Sequence, residues 1–383
     1  MASMIISYFS NFFNAHQLPI AECLAATDEV NYTFVSVVRA EDMAGRACLD
    51  DSYPFVLKAY SNETCKNEAM RHAIEDDVVV FGELEGHEEY VTARARTGKP
   101  FFRFTERILK RGDWWRFAPP KMVRTYKRFL RYRNSNMYVL CGGAYAARDL
   151  ALSGFPTEKC LKWGYFPVVD DKGVEARPSR FQRYLSLCSA QRQIPLKRVD
   201  LQIELARLLK SDGYEFRLKI AGDGPELSRL KSLAAEYSLN DSVEFLGSLT
   251  PDCVAGLMHE NDLFLATSDR NEGWGATINE AMACGCCVVA SDAMGSVPYL
   301  VKDGVTGLRF ESGSLESLYF SIRRAADDCN LRDRYGVSAR SLVAEGEWSS
   351  SCAADRLLSF SQAWLRDGEG FRSPFAEGPL SDA

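Results

Sequence analysis

Residues 263–280 read LFLATSDRNEGWGATINE, and the fold turns on how that stretch divides. Leu263–Thr267 is an apolar run without alternation, the pattern of a strand buried on both faces of a parallel sheet. The segment Ser268–Glu280 carries it through a polar loop into a helix that begins at ATINEAMA. Gly273 and Gly275 let the backbone approach a ligand closely. The helix start offers free N–H groups and the positive end of its dipole, a ready phosphate site. Glu272 lies in the loop, and Glu280 lies just over one turn inside the helix, so one carboxylate can reach each end of a ligand. The plainer alternative is an ordinary strand–turn–helix with two surface acids.

The same alternation of short β-branched runs and longer helical patterns extends in both directions. Strands are predicted at Ile5–Phe9, Tyr32–Val38, Asp77–Phe81, Phe101–Phe104, Met137–Cys141 and Leu161–Tyr165. A second series is predicted at Tyr184–Cys188, Phe216–Ala221, Val243–Leu246, Leu263–Thr267 and Val288–Ser291. Repeated strand–helix units predict a doubly wound α/β architecture. The pattern breaks at residues 167–180, PVVDDKGVEARPSR, a polar stretch with two prolines and no period. It divides the chain into a domain over 1–166, a linker over 167–180 and a second domain over 181–345. Residues 367–383 are rich in Gly, Pro and Ser and are expected to form a flexible tail.

Composition narrows the class. The 383 residues are 46% apolar and 26% charged, ordinary values for a globular enzyme that exclude collagen-like and wholly disordered chains. A net charge of −6 argues against general nucleic-acid binding, which needs a basic footprint. Twelve cysteines spread from Cys23 to Cys352 fit free thiols in a reducing compartment. The pair in Cys284-Gly285-Cys286-Cys287 has no second C-x-x-C to complete a metal site, and reads as packing where a helix turns into a strand. No basic region followed by a continuous apolar stretch opens the chain, so no targeting segment is expected. No window approaches the ~20 apolar residues of a membrane span.

Two further segments follow predicted strands. In CSAQRQIPLKRVD, Cys188–Asp200, Arg192 and Lys197 flank a turn at Pro195. Two cations at a strand's carboxyl end can clamp a diphosphate, Arg with a planar fork and Lys as a point charge. A solvated basic loop is the alternative. AGDGPE, Ala221–Glu226, reads as a tight turn into a helix, with Pro225 at its first position. G-x-G-x-x-G is absent throughout, which disfavours a nicotinamide dehydrogenase.

These three segments in this order resemble the donor half of family 4 glycosyltransferases. The resemblance runs from about Tyr184 to Phe310: R-x4-K at Arg192 and Lys197, GDGPE, E-x7-E at Glu272 and Glu280, EAMACGCCVVAS, and DGVTGL at Asp303–Leu308. The first half resembles bacterial enzymes that build capsular and other surface polysaccharides, through YFSNFFNAHQLPI, FRFTERI and KWGYFP. The resemblance implies the GT-B fold, two facing Rossmann-like domains, with a helix over 346–366 crossing back to the first. It implies a retaining transferase that moves a sugar from a nucleotide-sugar, a UDP-sugar favoured, to a glycan or lipid-linked glycan. The first domain would hold the acceptor and the second the donor.

By the same resemblance, Arg192 and Lys197 hold the diphosphate and assist the leaving group. Glu280 takes the ribose hydroxyls and Glu272 the transferred sugar. The backbone amides of Gly273, Trp274, Gly275 and Ala276 contact sugar or phosphate, and Thr277 belongs to the same donor-binding set. No metal or other cofactor is implied, in keeping with the lack of a D-x-D motif. The chain departs from the family pattern at Gln191, where Gly is common, and at Tyr299, where Glu is usual. It departs again at Asn11–Asn14, where a Gly-Gly loop is expected. A GT-B nucleotide-sugar epimerase and a non-catalytic nucleotide-sugar sensor are the alternatives. A sensor would have less reason to keep Arg192, Lys197, Glu272 and Glu280 together.

On the acceptor side, Asn14 and His16 follow the first strand and Glu106 follows FFRF, all at carboxyl ends where α/β proteins bind ligands. His16 is otherwise a capping or packing residue. Glu106 is a candidate acid or base, or a partner for Arg103 or Arg107. Residues 103–133 hold eleven Lys and Arg against Glu106 and Asp113, interleaved with aromatics. Lys121–Arg133 is predicted to be one helix with Met122, Tyr126, Phe129 and Leu130 on one face. Such a helix can lie on an anionic membrane surface or be an ordinary core helix with a solvated basic face. Together these readings predict a cytoplasmic protein, and the first of the two readings of this helix would make it peripheral on the inner face of the plasma membrane.

Overall fold

The computed structural model describes residues 3–39, 48–50, 52–84, 86–169, 184–368 and 371–383. The chain forms two compact units, Met1–Val168 with Glu347–Ala383, and Val169–Gly346. From residue 170 onward, the expected linker lies outside the described residues.

The first unit is built on seven parallel strands: β1 (Met4–Ser10), β2 (Val30–Ser36), β3 (Val56–Lys58), β4 (Val78–Phe81), β5 (Phe101–Glu106), β6 (Met137–Gly142) and β7 (Cys160–Trp163). Their order is β3-β2-β1-β4-β5-β6-β7. Runs such as VVVF in β4 are buried along their whole length, because helices cover both faces of a parallel sheet. On one face Phe9 packs against Phe81 and Tyr90, with ring centroids 5.2 and 5.3 Å apart. The buried Arg94 guanidinium donates to the carbonyls of Asp76 (2.6 Å), Asp77 (2.7 Å) and Pro100 (2.7 Å). It thereby satisfies backbone acceptors at the amino ends of β4 and β5 that water cannot reach.

The helix Ser350–Asp367 belongs to this same unit. Ser349 caps it, accepting from the Cys352 N–H at 3.2 Å. Phe360 and Trp364 lie on the sheet against Phe102 and Tyr138, with Tyr138–Trp364 centroids at 4.7 Å and Phe102–Trp364 at 5.3 Å. The expectation of a flexible tail is corrected for residues 371–383. The Lys162 N–H donates to the Ser381 carbonyl at 2.8 Å, and the Leu380 and Ala383 N–H groups donate to Lys162 and Cys160. Leu161 and Asp382 form an antiparallel bridge. The segment thus covers the free edge of β7, and Leu380 and Ser381 are fully buried. Its Gly and Pro content set the turn that brings it there, a signal that composition does not separate from disorder.

The second unit has six parallel strands: β8 (Leu185–Ala190), β9 (Phe216–Ala221), β10 (Val243–Gly247), β11 (Leu263–Ala266), β12 (Cys287–Ser291) and β13 (Leu308–Phe310). Their order is β10-β9-β8-β11-β12-β13. The core gathers Leu187, Leu218, Ile220, Leu265 and Val289 beneath flanking helices. Cys286 and Cys287 are buried where a helix passes into β12. The strands β3 and β13 escape prediction because three residues carry too little pattern.

The basic segment also differs from expectation. Its helix spans Pro119–Arg128 and stops at Phe129, which leaves helical geometry (φ −131°, ψ −57°) before a short 3-10 turn at Leu130–Tyr132. Phe129 is buried, whereas Met122 and Tyr126 are exposed. The four residues therefore do not share a face. Phe129 turns inward, and the Arg103 guanidinium sits 5.5 Å from its ring centre.

Because the tail closes a sheet edge, removal of residues 371–383 is expected to lower the melting temperature by several degrees. Thermal unfolding followed by circular dichroism checks this. A truncated chain melting with the full one would show that the segment adds nothing to the fold.

Candidate functional site

In the second unit the strand order reverses between β8 and β11. Crossovers leave these neighbours toward opposite sides, opening a crevice at their carboxyl ends where such sheets bind ligands. The loop after β8 carries Arg192 and Lys197, and the loop after β11 carries Glu272. A buried chain of hydrogen bonds joins the two loops. Ser189 Oγ donates to Gln202 Oε1 (2.8 Å), Gln202 Nε2 to Thr267 Oγ1 (2.9 Å), and Thr267 Oγ1 to the Lys197 carbonyl (2.8 Å). The Asp269 N–H donates to the Leu196 carbonyl at 2.8 Å. Across this seam Lys197 Nζ and Glu272 Oε2 form an ion pair, both side chains largely but not wholly buried. Arg192 stands exposed on the same loop, with no ion pair among the described residues.

The GDGPE turn braces that loop from the other side. The Gln193 N–H donates to the Asp223 carbonyl (2.8 Å) and the Glu226 N–H to the Gln193 carbonyl (3.0 Å). Gly222 (φ +113°) and Gly224 (φ +157°) lie so close that a Cβ would overlap the carbonyls of Gln191 and Gln193. The glycines let two loops touch backbone to backbone, and this loop is the one that presents Arg192.

Gly275 (φ +88°) caps the helix Ala276–Ala283, and no side chain caps its start. That left-handed backbone strains any residue with a Cβ, so the turn requires glycine. Gly273 and Gly275 are buried, while Ala276 and Thr277 are partly exposed at the helix start. Trp274 can offer a ligand only its backbone. Its indole is fully buried, donates to Asn279 Oδ1 at 2.7 Å and packs near Tyr299, so the loop offers a ligand backbone at this position and no side chain. Glu280 lies one turn further on. Burial raises its carboxyl above the usual range, and no ion pair offsets this among the described residues.

In the first unit the expected acceptor-side residues divide into two roles. Asn14 builds its own turn: Asn14 Oδ1 accepts from the His16 N–H at 3.0 Å, and the Asn14 N–H donates to Gln17 Oε1 at 3.1 Å. His16 is exposed, its ring 5.4 Å from that of Tyr165. The Tyr165 hydroxyl donates to Glu106 Oε1 at 3.3 Å, and Lys110 Nζ meets Glu106 Oε2 at 3.2 Å. Burial, then the Glu106 charge, raise the phenol well above its ordinary value. Tyr165 thus joins His16 and Glu106. Arg103 pairs with Glu88 instead of Glu106, and Arg107 lies 3.8 Å from Asp149. No helix among the described residues is long and apolar enough to cross a membrane.

Sequence reasoning missed the polar chain through Ser189, Gln202 and Thr267. One signal for it was present: Val199, Gln202, Ala206 and Leu209 share a buried helical face, so Gln202 is a polar residue on an apolar stripe, which requires a partner.

An unpaired half-buried carboxylate costs stability when ionised. Its folded pKa is raised, so the folded state is favoured by protonation. That stability is present below the unfolded value of about 4.3 and is lost as pH rises through the folded value. Glu280→Gln is therefore expected to melt above the wild type at pH 7.5, the two curves converging as pH falls toward 4.5. Equal melting at pH 7.5 would show that the carboxylate is solvated.

Comparison with known proteins finds likeness in sequence and in fold. The family described as Glycosyl transferases group 1 matches residues 175–342. The alpha-D-kanosaminyltransferase of Streptomyces kanamyceticus is 32% identical over 161 residues, 42% of this chain and 41% of that protein. The chain spans less than half the length of the curated relatives it matches. Among solved structures, Anabaena HepE in complex with UDP superposes with a TM-score of 0.67 at 15% identity, covering 93% of this chain and 98% of that one. WaaG, a glycosyltransferase involved in lipopolysaccharide biosynthesis, gives 0.60 at 18% identity over 92% and 99%. The shared fold is GT-B, and residues 175–342, somewhat under half of the chain, carry the likeness to the group 1 glycosyl transferases.

Proposed function

We propose that the protein is a retaining glycosyltransferase that moves a sugar from a nucleotide-sugar to a glycan or lipid-linked glycan in surface polysaccharide synthesis. One observation carries the reading: Lys197 and Glu272, 75 residues apart, meet in an ion pair at the switch point of the second sheet, next to the exposed Arg192 and one turn from the uncompensated Glu280. A diphosphate arriving there finds two cations. Lys197 is held by its loop and Arg192 is free to close on the ligand. As the bond between sugar C1 and phosphate oxygen breaks, negative charge grows on the phosphate, and fixed cations lower that barrier without reorganising. Removing one such donor costs about 2.7–4 kcal/mol. These two side chains supply the positive charge that other transferases take from a metal, so the reaction is proposed to need none. Glu280 takes the ribose hydroxyls and Glu272 the hydroxyls of the sugar. UDP is the first nucleotide to test, since a protein of the same fold holds it. Glu106, poised between Lys110 and Tyr165, is the acid–base group proposed for the acceptor side, with His16 beside Tyr165.

The protein is further proposed to be cytoplasmic and peripheral to an anionic membrane. Trp114, Phe117, Met122, Val123 and Tyr126 each expose more than half of their surface, within a segment rich in Lys and Arg. Apolar insertion combined with about 1 kcal/mol per near-surface cation suits that surface.

Thermal unfolding against UDP-, GDP-, ADP- and dTDP-sugars, with chelator present, tests the donor site. A ligand at 100 times its dissociation constant adds about 2.7 kcal/mol. A shift of several degrees with one nucleotide-sugar, reduced in Arg192→Ala, is the expected result; no shift with any of them would count against the reading. Separately, the protein is expected to sediment with phosphatidylglycerol vesicles and not with phosphatidylcholine vesicles. Trp114→Ala/Phe117→Ala should weaken that binding severalfold, and equal binding to both vesicles would remove the membrane role.

A further inference from the structure

The first unit holds a cavity of about 330 Å³ beyond the carboxyl end of β5. Arg107, Lys110 and Arg111 line it from the loop after β5, and Lys121, Arg124 and Arg128 line it from the helix Pro119–Arg128. The carboxylates among its walls are Glu83 and Glu106, and Glu106 is already paired with Lys110. The helix is turned opposite to an ordinary surface helix. Its only buried residue is Thr125. Its cationic stripe, spaced three and four residues apart, lines the cavity, Lys121 and Arg128 partly buried and Arg124 exposed at its mouth, while Met122, Val123 and Tyr126 face solvent.

Asp149 favours the charged form of Lys121, and Glu88 and Glu83 that of Arg128, but none of them pairs with the stripe. Among the described residues Lys121, Arg124 and Arg128 form no ion pair, and Arg128 Nε is buried without a hydrogen-bond partner. Burial first, then Arg124 and Arg128, push the Lys121 ammonium down to about 8. Burial, then Arg103 and Arg124, push Arg128 down to about 10. Cations gathered at such cost gain most from an anion with several oxygens and more than one charge, as a phosphate has. We infer that this cavity binds a phosphate or diphosphate group carried by the acceptor. That the group belongs to the acceptor rests on the transferase reading; the affinity for phosphate rests on the cavity alone. The outward apolar face of the same helix favours a phosphate at the head of a lipid.

Calorimetric titration of the full chain tests this with pyrophosphate and with farnesyl diphosphate, each with and without saturating UDP. With the donor site saturated by UDP, one site per chain is expected to remain open to pyrophosphate. It should weaken at least tenfold in Arg124→Gln/Arg128→Gln and be unchanged in Arg192→Gln. Tighter binding of farnesyl diphosphate identifies a lipid-linked phosphate; equal binding identifies a water-soluble phosphate ester. Absence of pyrophosphate binding, binding unaltered in the double variant, or binding lost only in Arg192→Gln would overturn the inference. Melting curves verify that the double variant folds, and Lys121→Gln replaces it under the same criteria if it does not. A chain that binds pyrophosphate here but no nucleotide refutes the transferase reading and keeps the site. One that binds UDP and not pyrophosphate does the reverse.

Discussion

The donor-side arrangement depends on a buried thread of three side chains, Ser189, Gln202 and Thr267, that ends on the Lys197 carbonyl. Each bond contributes only about 1 kcal/mol net, but a member left unpaired in the interior would cost about 1–3 kcal/mol. The thread is therefore satisfied as a whole or strained as a whole. It starts on β8, passes through a helix, reaches the end of β11 and returns to the loop after β8. Two loops far apart in the chain thereby acquire one geometry, and the Lys197–Glu272 ion pair is the visible result. The GDGPE turn adds a second support, since its glycines let backbone rest on backbone behind Arg192.

Much of this was legible in the sequence because parallel sheets advertise themselves. Continuous apolar runs such as LFLAT and VVVF have few other uses, and the loops after them are where ligands bind. The residues expected in the second unit all lie on those loops or on the first turns of the following helix. What was not legible has physical causes. The three-residue strands β3 and β13 are held by their neighbours' hydrogen bonds, not by a pattern of their own. The tail at 371–383 is fixed by an unpaired sheet edge that no local sequence reports. Phe129 was misplaced by assuming one helix where the backbone breaks.

The helix Pro119–Arg128 reverses the usual sorting of polar and apolar groups. A folded chain ordinarily hides Met, Val and Tyr and solvates Lys and Arg. Here Lys121 and Arg128 are partly buried while Met122, Val123 and Tyr126 are exposed beside Arg124 and Lys127. Such a surface is costly for a protein alone in water. It becomes favourable when both kinds of partner, one charged and one apolar, meet it together.

The helix Ser350–Asp367 and the segment after it complete the first unit, so the second unit is an insertion within the first. On the ribosome the seven strands of the first unit emerge early but lack their covering helix. Phe102 and Tyr138 have no Phe360 or Trp364 to pack against, and the β7 edge lies open. The second unit is continuous in sequence and can close as soon as it has emerged, as domains generally fold as units during synthesis. The order of completion is thus the reverse of the order of translation. The first unit spends the synthesis of nearly two hundred residues with an apolar face and a strand edge uncovered. Such transiently exposed apolar surface and unpaired edges are where misassembly begins.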